Sequence, residues 1–202
     1  MDLMAIRAVV FDLDGTLVDS GLDFKAMCDE LGLPHGTAIL EHMGQLECPD
    51  ARRSIEEVVR KHELEGARRA TWMPGAKACI DALHQLGMPM AILTRNMREA
   101  TELTLTNLDI PIDLVLTRED CLAKPDPEGL HLIADKLGIP CGDMVYIGDY
   151  IFDIQVAANA RMASCLYRNA RNAHFAEQAD WIIDHFDELT RKVEKRRLAL
   201  TP

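Results

Sequence analysis

The sequence is short of positive charge. It has 22 Lys and Arg residues against 33 Asp and Glu residues, which gives a formal net charge of −11. Binding a polyanion requires a basic surface, so this balance argues against nucleic acid as the primary ligand. No stretch approaches about 18 apolar residues, and no charged segment leading into a long apolar run opens the chain. We therefore expect a soluble, cytoplasmic protein that binds neither nucleic acid nor membrane.

Cysteine pairs are absent as well. The six cysteines are scattered and form no C-x-x-C pair, so we expect reduced packing residues rather than a disulfide framework or a zinc site. The sequence also has no internal repeat and no low-complexity segment. Its 202 residues, of which 48% are hydrophobic, fit one main domain with a buried core and a modest insertion.

What the sequence does contain is a set of short apolar stretches that end in reactive side chains. The stretches span residues 8–11, 89–93, 113–116 and 144–147. The side chains that follow them are Asp12 and Asp14, Thr94, Lys124, and Asp149 with Asp153. Apolar strands separated by helical segments predict a parallel sheet. Such a sheet delivers the carboxyl end of every strand to one side, so these side chains should meet in one crevice.

The first of these pairs, Asp12 and Asp14, carries a further implication. In an extended chain, residues i and i+2 share a face, so the two carboxylates start out close together. They repel each other unless a cation lies between them or one of them keeps its proton. The pair therefore indicates a bound metal, a proton-transfer pair or both. The structural alternative is that Asp and Gly here form an ordinary turn.

The four segments together resemble the motifs of the haloacid dehalogenase superfamily, and within it the phosphatases related to phosphoglycolate phosphatase. They read DLDGT at 12–16, LTRN at 93–96, AKPDP at 123–127 and GDYIFD at 148–153. The match extends over residues 6–167, most of the chain. It implies an α/β fold with a doubly wound, Rossmann-like parallel sheet and a small helical cap inserted after the first strand. We expect a catalytic core at 1–19 and 73–202 and a cap at 20–72.

The resemblance also implies catalytic roles. It assigns Asp12 as the nucleophile and Asp14 as the general acid and base. Thr94 and Lys124 complete the catalytic set, with the lysine bridging the nucleophile and the phosphoryl group. Asp12 would form an aspartyl-phosphate, which divides hydrolysis into two steps.

The implied cofactor is Mg²⁺, with Asp12, Asp14, Asp149 and Asp153 as candidate ligands. Asp12 and Asp149 would bind through their carboxylates and Asp14 through its backbone carbonyl, while Asp153 would anchor metal-bound water. Mg²⁺ prefers oxygen ligands and retains several waters. It would offset the repulsion between a carboxylate and a phosphate dianion.

Arg95 and Asn96 join Thr94 and Lys124 as candidate substrate-binding residues. An arginine beside a phosphate site could hold an anion through paired hydrogen bonds. The alternatives are that Arg95 points to solvent or pairs with Glu99.

Between residues 20 and 73, the sequence has no pattern typical of a strand. Three helices are predicted there, at 22–32, 37–46 and 50–70, separated by Gly and Pro residues. The last helix carries acid-before-base pairs at i,i+4, which favour a solvated helix over an anion-binding face. These pairs are Glu56–Arg60, Glu57–Lys61 and Glu65–Arg69. Closing strands are predicted at 163–167 and 181–183, and a terminal helix at 186–200.

These observations predict a Mg²⁺-dependent phosphatase, similar to phosphoglycolate phosphatase, that hydrolyses a small phosphorylated metabolite. Asp14 favours an alkoxide leaving group, because haloacid dehalogenases and phosphonatases lack an aspartate at this position. A phosphosugar mutase of the β-phosphoglucomutase type shares all four motifs and is one alternative. A receiver-like phosphoacceptor domain, which would not turn over, is the other. We expect a monomer or a weak homodimer.

Overall fold

The computed structural model describes residues 6–192. In chain order, the elements are β1 (Ala8–Phe11), β2 (Val18–Asp19), α1 (Phe24–Leu31), α2 (Ile39–Gln45), α3 (Pro49–Arg69), β3 (Thr71–Trp72), α4 (Ala76–Gln85), β4 (Met90–Leu93), α5 (Arg98–Leu108), β5 (Leu114–Leu116), α6 (Glu128–Leu137), β6 (Met144–Gly148), α7 (Ile151–Asn159), β7 (Ala163–Tyr167) and β8 (Trp181–Ile183). Short 3₁₀ helices span Cys141–Asp143 and Ala173–Gln178.

The centre of the fold is a six-stranded sheet in the order β5-β4-β1-β6-β7-β8, in which every neighbouring pair is parallel. This confirms the predicted α/β fold with a Rossmann-like sheet. All four residues of β1 are buried, as expected for a central strand covered by helices on both faces. Because strand side chains alternate, Val9 and Phe11 pack with α4 on one face, whereas Ala8 and Val10 pack with α6 and α7 on the other.

The terminal helix is only partly within the described chain. Residues 186–192 are helical, and Phe186 and Leu189 are buried against the same face of the sheet as α4. The rest of the helix predicted at 186–200 lies outside the described residues. Within residues 6–192, none of the helices combines the length and the apolar character needed to cross a bilayer.

The segment 20–72, called the cap below, contains the three predicted helices as α1, α2 and α3. Asp23 begins α1 by accepting hydrogen bonds from the backbone N–H groups of Lys25 and Ala26. Gly32 ends the same helix in the left-handed conformation, with φ 65°. The three helices share an apolar cluster that includes Met27, Ile39 and Val59. The exact division between core and cap stays a prediction.

A two-stranded antiparallel pair, which the sequence did not predict, joins the cap to the sheet. Val18 of β2 pairs with Trp72 of β3, and Asp19 pairs with Thr71. The chain therefore leaves the core and returns to it at adjacent positions.

The charged face of the last cap helix is exposed, as predicted for a solvated helix. The three predicted i,i+4 ion pairs are nevertheless not among the salt bridges of residues 6–192. The basic members of those three pairs contact other elements instead. Arg60 pairs with Glu99 of α5, Lys61 pairs with Glu30 of α1, and Arg69 donates to the backbone oxygens of Ser20 and Gly21. The expected intrahelical pairs are wrong because α3 packs between two neighbours that offer these cations better-placed acceptors.

The contact between α3 and α5 fixes the cap on the core. Leu64 and Ala67 of α3 are buried against Met97 and Ala100. Beside them, the buried carboxylate of Glu63 accepts a hydrogen bond from the backbone N–H of Met97 at 2.9 Å and forms an ion pair with Arg118. A carboxylate placed in this position is costly without its cation, so the pair makes the docking geometry of α3 specific.

Replacing Glu63 with Ala should lower the free energy of unfolding by about 2 kcal/mol or more, because Arg118 and the Met97 N–H lose a buried partner. Glu65→Ala, on the exposed side of the same helix, is the matched control and should change stability by less than about 0.5 kcal/mol. Urea unfolding followed by circular dichroism measures both. Equal, small effects would show that the ion pair does not anchor α3.

Candidate active site

The predicted site residues converge at the carboxyl edge of the sheet. Asp12 directly follows β1, and its backbone N–H donates to Ile147 O of β6 at 2.8 Å. Lys124, from the loop between β5 and α6, places its Nζ 2.7 Å from Asp12 Oδ1 and 2.6 Å from Asp153 Oδ1. All three side chains are buried. The ammonium group of Lys124 thus joins segments that are far apart in the sequence.

Asp149 completes an acidic cluster with Asp12 and Asp153. Carboxylate oxygens of the three residues lie within 4.8 Å of one another. Gly15, with φ 79°, provides the room, because a Cβ there would lie 2.6 Å from a carboxylate oxygen of Asp149. The backbone oxygen of Asp149 accepts from Asn172 Nδ2 at 2.7 Å, and the same amide group also donates to Tyr167 O.

Asp153 has both carboxylate oxygens engaged by the protein. Its Oδ2 accepts from the backbone N–H groups of Asp149 and Tyr150 at 3.1 and 2.9 Å, while its Oδ1 accepts from Lys124. A side chain on Gly148 would collide with it, since a Cβ there would lie 2.2 Å from Asp153 Cγ. Asp153 therefore orients Lys124 and the turn that carries Asp149.

Tyr146 and Asn172 are site residues that the sequence reasoning missed. The hydroxyl of Tyr146 accepts from Lys124 Nζ at 3.0 Å and lies 2.9 Å from Leu93 O, to which it can donate. Its one sequence signal is a tyrosine inside an otherwise aliphatic strand. Asn172 lies beyond the four motifs, and no local pattern marks it.

Asp14 sits in the turn after β1, where the N–H groups of Leu17 and Val18 both donate to Leu13 O. Asn96 Nδ2 donates a short hydrogen bond to Asp14 Oδ2. Asn96 in turn donates its backbone N–H to Thr94 Oγ1 at 3.2 Å. The structure thus brings Asn96 into contact with Asp14 and links Thr94 to this carboxylate through Asn96.

Arg95 neither points to solvent nor pairs with Glu99. Its guanidinium forms a short ion pair with Glu41 of the cap helix α2 and lies over the ring of Phe152, with Cζ 4.8 Å from the ring centroid. Glu99 is engaged by Arg60 instead.

Burial dominates the electrostatics of the cluster. It raises the pKa of Asp12 to about 7, and it raises the pKa of Asp149 to about 8 with help from the neighbouring carboxylates of Asp12 and Asp153. Burial also raises the pKa of Asp14. For Lys124, burial would lower the pKa, but the charges of Asp12 and Asp153 outweigh it and hold the pKa above its ordinary value.

The donor set fits a hard divalent cation. The cluster offers only oxygen ligands, and one lysine cannot neutralise the carboxylates of Asp12, Asp14, Asp149 and Asp153 together. Because the oxygens of Asp153 are already engaged, Asp12 and Asp149 are the carboxylates best placed to bind such an ion directly.

Comparisons with known proteins identify relatives along most of the chain. The family model of haloacid dehalogenase-like hydrolases matches residues 26–167. A plasmid phosphoglycolate phosphatase of Cupriavidus necator is 30% identical over 220 residues, which cover 95% of this chain and 95% of that protein. An uncharacterised hydrolase of Saccharomyces cerevisiae is 29% identical over 189 residues, 90% of this chain and 86% of that protein.

The fold is also found among solved structures. The crystal structure of a predicted phosphoglycolate phosphatase from Haemophilus somnus superposes with a TM-score of 0.74 and 21% sequence identity. The superposition covers 96% of this chain and 99% of that one. At this identity, the likeness shows the shared fold.

The raised carboxyl pKa values predict a pH-dependent stability in the presence of chelator. Each of these carboxyl groups has a higher pKa in the folded protein than in the unfolded chain. At pH values between the two, the folded state binds more protons than the unfolded state, so the free energy of unfolding falls as pH rises. Asp149→Asn removes one of these groups. It should be more stable than the parent by at least about 1 kcal/mol at about pH 8.5, with a smaller gap at about pH 5.

Urea unfolding at both pH values measures this gap. The control is Asp113→Asn, which changes an exposed aspartate and should leave the pH dependence unchanged. A gap of the same size at both pH values would contradict the raised pKa of Asp149.

Proposed function

Because the chain belongs to the haloacid dehalogenase-like hydrolases, we propose that it is a Mg²⁺-dependent phosphatase that hydrolyses a small phosphomonoester. One observation carries the proposal: the buried ammonium of Lys124 bridges Asp12 and Asp153 beside the carboxylate of Asp149. This arrangement combines a nucleophile, a cation and a metal site within a few ångströms. The likeness to phosphoglycolate phosphatases supports a small metabolite as substrate.

In the proposed reaction, Asp12 attacks the phosphorus atom. A bond forms between its carboxylate oxygen and phosphorus, and the ester P–O bond breaks. Lys124 holds Oδ1 at 2.7 Å and so fixes the orientation of the carboxylate. The same ammonium provides positive charge for the transferring phosphoryl group.

Asp14 is proposed as the proton donor and acceptor. Burial raises its pKa, which helps it to hold a proton for the leaving alkoxide. In the second step, it takes a proton from the water that attacks the phosphorus of the aspartyl-phosphate. The bond between phosphorus and the Asp12 oxygen then breaks, which releases inorganic phosphate and restores the Asp12 carboxylate. The hydrogen bond from Asn96 to Oδ2 fixes the orientation of the carboxylate.

The metal site would consist of Asp12 and Asp149 carboxylates and the backbone carbonyl of Asp14. When bound, Mg²⁺ would neutralise the charge that builds up as the carboxylate and the phosphate dianion approach. Asp153, predicted as a candidate ligand, acts by orienting Lys124 and the Asp149 turn.

Thr94 and Lys124 are proposed to bind the phosphoryl oxygens. Thr94 directly follows β4, and its N–H donates to Leu116 O, so the sheet fixes its backbone. Its hydroxyl oxygen accepts from the backbone N–H of Asn96 at 3.2 Å. A preorganised donor of this kind stabilises charge that develops in the transition state.

Membership in a hydrolase family excludes the receiver-like alternative. A phosphosugar mutase would return the phosphoryl group to its substrate instead of water. Release of inorganic phosphate over many turnovers therefore distinguishes the proposed phosphatase from the mutase.

The nucleophile assignment predicts that Asp12→Asn keeps the fold but loses phosphatase activity by orders of magnitude, because covalent catalysis requires the carboxylate. Phosphate release from a panel of phosphorylated metabolites measures the loss, and circular dichroism checks the fold. Asp113→Asn is the matched control and should retain activity. More than about a tenth of the parental kcat in Asp12→Asn would overturn the assignment.

The metal assignment predicts that chelation abolishes activity, that Mg²⁺ restores it and that Ca²⁺ inhibits it. The bonds of Ca²⁺ are longer and its coordination is looser, so Asp12 would be misplaced relative to phosphorus. Phosphate release in chelator, followed by addition of each ion, measures the effect. Undiminished turnover in excess chelator would contradict the proposed site.

A further inference from the structure

Arg95 connects three parts of the structure: the loop after β4, the helix α7 and the cap helix α2. Its backbone belongs to the loop after β4, where its carbonyl accepts from Arg118 Nη1 at 3.1 Å. Its side chain lies over Phe152 of α7 and reaches Glu41 of the cap helix α2. Arg95 lies between Thr94 and Asn96 in the chain, and Phe152 directly precedes Asp153, so both the arginine and its aromatic contact belong to segments of the proposed site.

The ion pair with Glu41 uses only part of the guanidinium. Nη2 donates to one oxygen of Glu41, while Nε is buried and has no hydrogen-bond partner. An arginine can bind an anion with two parallel hydrogen bonds, and an unpaired buried donor is unfavourable. Arg95 therefore has a vacant donor that an anion with two oxygens could satisfy together with Nη2.

We propose that Arg95 forms an anion subsite that Glu41 fills in the free protein, and that a second anionic group on the substrate displaces Glu41 when it binds. This inference rests on the proposed phosphatase function and narrows its substrate class. The substrates are phosphomonoesters with a carboxylate or second phosphate a few bonds from the ester oxygen.

Glu41 is suited to give way. Its side chain is 40% exposed, whereas that of Arg95 is 19% exposed, so the released carboxylate returns to water. Within residues 6–192, its contact with Arg95 is the one side-chain hydrogen bond or ion pair between α2 and the core. By contrast, α3 is held by the buried Glu63–Arg118 pair. The exchange can therefore take place while α3 stays docked.

Phe152 is suited to keep the guanidinium in place during the exchange. The flat cation rests on the ring face, an arrangement favourable for arginine. The ring itself packs edge-on against Tyr150, with centroids 5.3 Å apart. Arg95 thus keeps its contact with Phe152 when a substrate anion replaces Glu41.

The test compares two esters that differ in the second anion: 2-phosphoglycolate, which has a carboxylate, and ethyl phosphate, which has a methyl group there. Glu41→Gln removes the competing charge and nearly preserves the shape. The matched control is Glu47→Gln, which removes the same charge from an exposed position just beyond α2. KM and kcat are measured for both esters with Mg²⁺.

We expect Glu41→Gln to lower the KM for 2-phosphoglycolate by about threefold or more, since a partly exposed ion pair no longer competes. The KM for ethyl phosphate should change less than about twofold, and Glu47→Gln should change neither value appreciably. In an Arg95→Gln background, Glu41→Gln should lose its effect, because the two residues act as a pair. Equal KM changes for both esters, or the same change in Glu47→Gln, would overturn the subsite.

Calorimetry separates this inference from the proposed function. Binding of both esters is measured in Asp12→Asn with and without Glu41→Gln, so that no turnover is required. If the parent hydrolyses neither these esters nor any ester of the metabolite panel, the proposed function fails, and binding alone decides the subsite. Tighter binding of 2-phosphoglycolate alone on Glu41→Gln supports it. Unchanged or undetectable binding of both esters overturns it.

Discussion

The site depends on one buried cation. Lys124 lies between Asp12 and Asp153 and also contacts the hydroxyl of Tyr146. A buried ammonium is tolerated only when its partners are close and well oriented. These contacts hold the loop after β5 against the ends of β1 and β6 and the start of α7. The positions of the candidate nucleophile and of the Asp149 turn therefore follow from the same set of bonds.

The cap contacts the core in two different ways. Through α3, it is joined by apolar packing and by the buried carboxylate of Glu63, which accepts from the N–H of Met97 at the start of α5. Through α2, it is joined by the partly exposed carboxylate of Glu41 on Arg95. The contact through α3 is buried, whereas the contact through α2 is partly exposed. The cap can therefore keep its place while the cover of the crevice responds to a ligand.

Much of the sheet and of the acidic cluster could be predicted from the sequence, because both depend on local patterns. Apolar runs that end in Asp12, Thr94 or Asp149 mark strands and the edge at which they end. The contacts that the sequence did not predict are tertiary. They are the pairing of Arg60 with Glu99 and the pairing of the two-residue strands β2 and β3. In these cases, packing brings together segments whose local patterns either point elsewhere or are too short to read.

The pairing of β2 with β3 has a consequence for how such proteins can vary in size. The two points where the chain enters and leaves the cap lie on neighbouring strands, about 5 Å apart. The entropy lost on closing an inserted segment grows only with the logarithm of its length. Segments of very different lengths can therefore be carried between the same two strands while the register of the six-stranded sheet is preserved. The core sheet can therefore stay the same while the inserted cap differs in length.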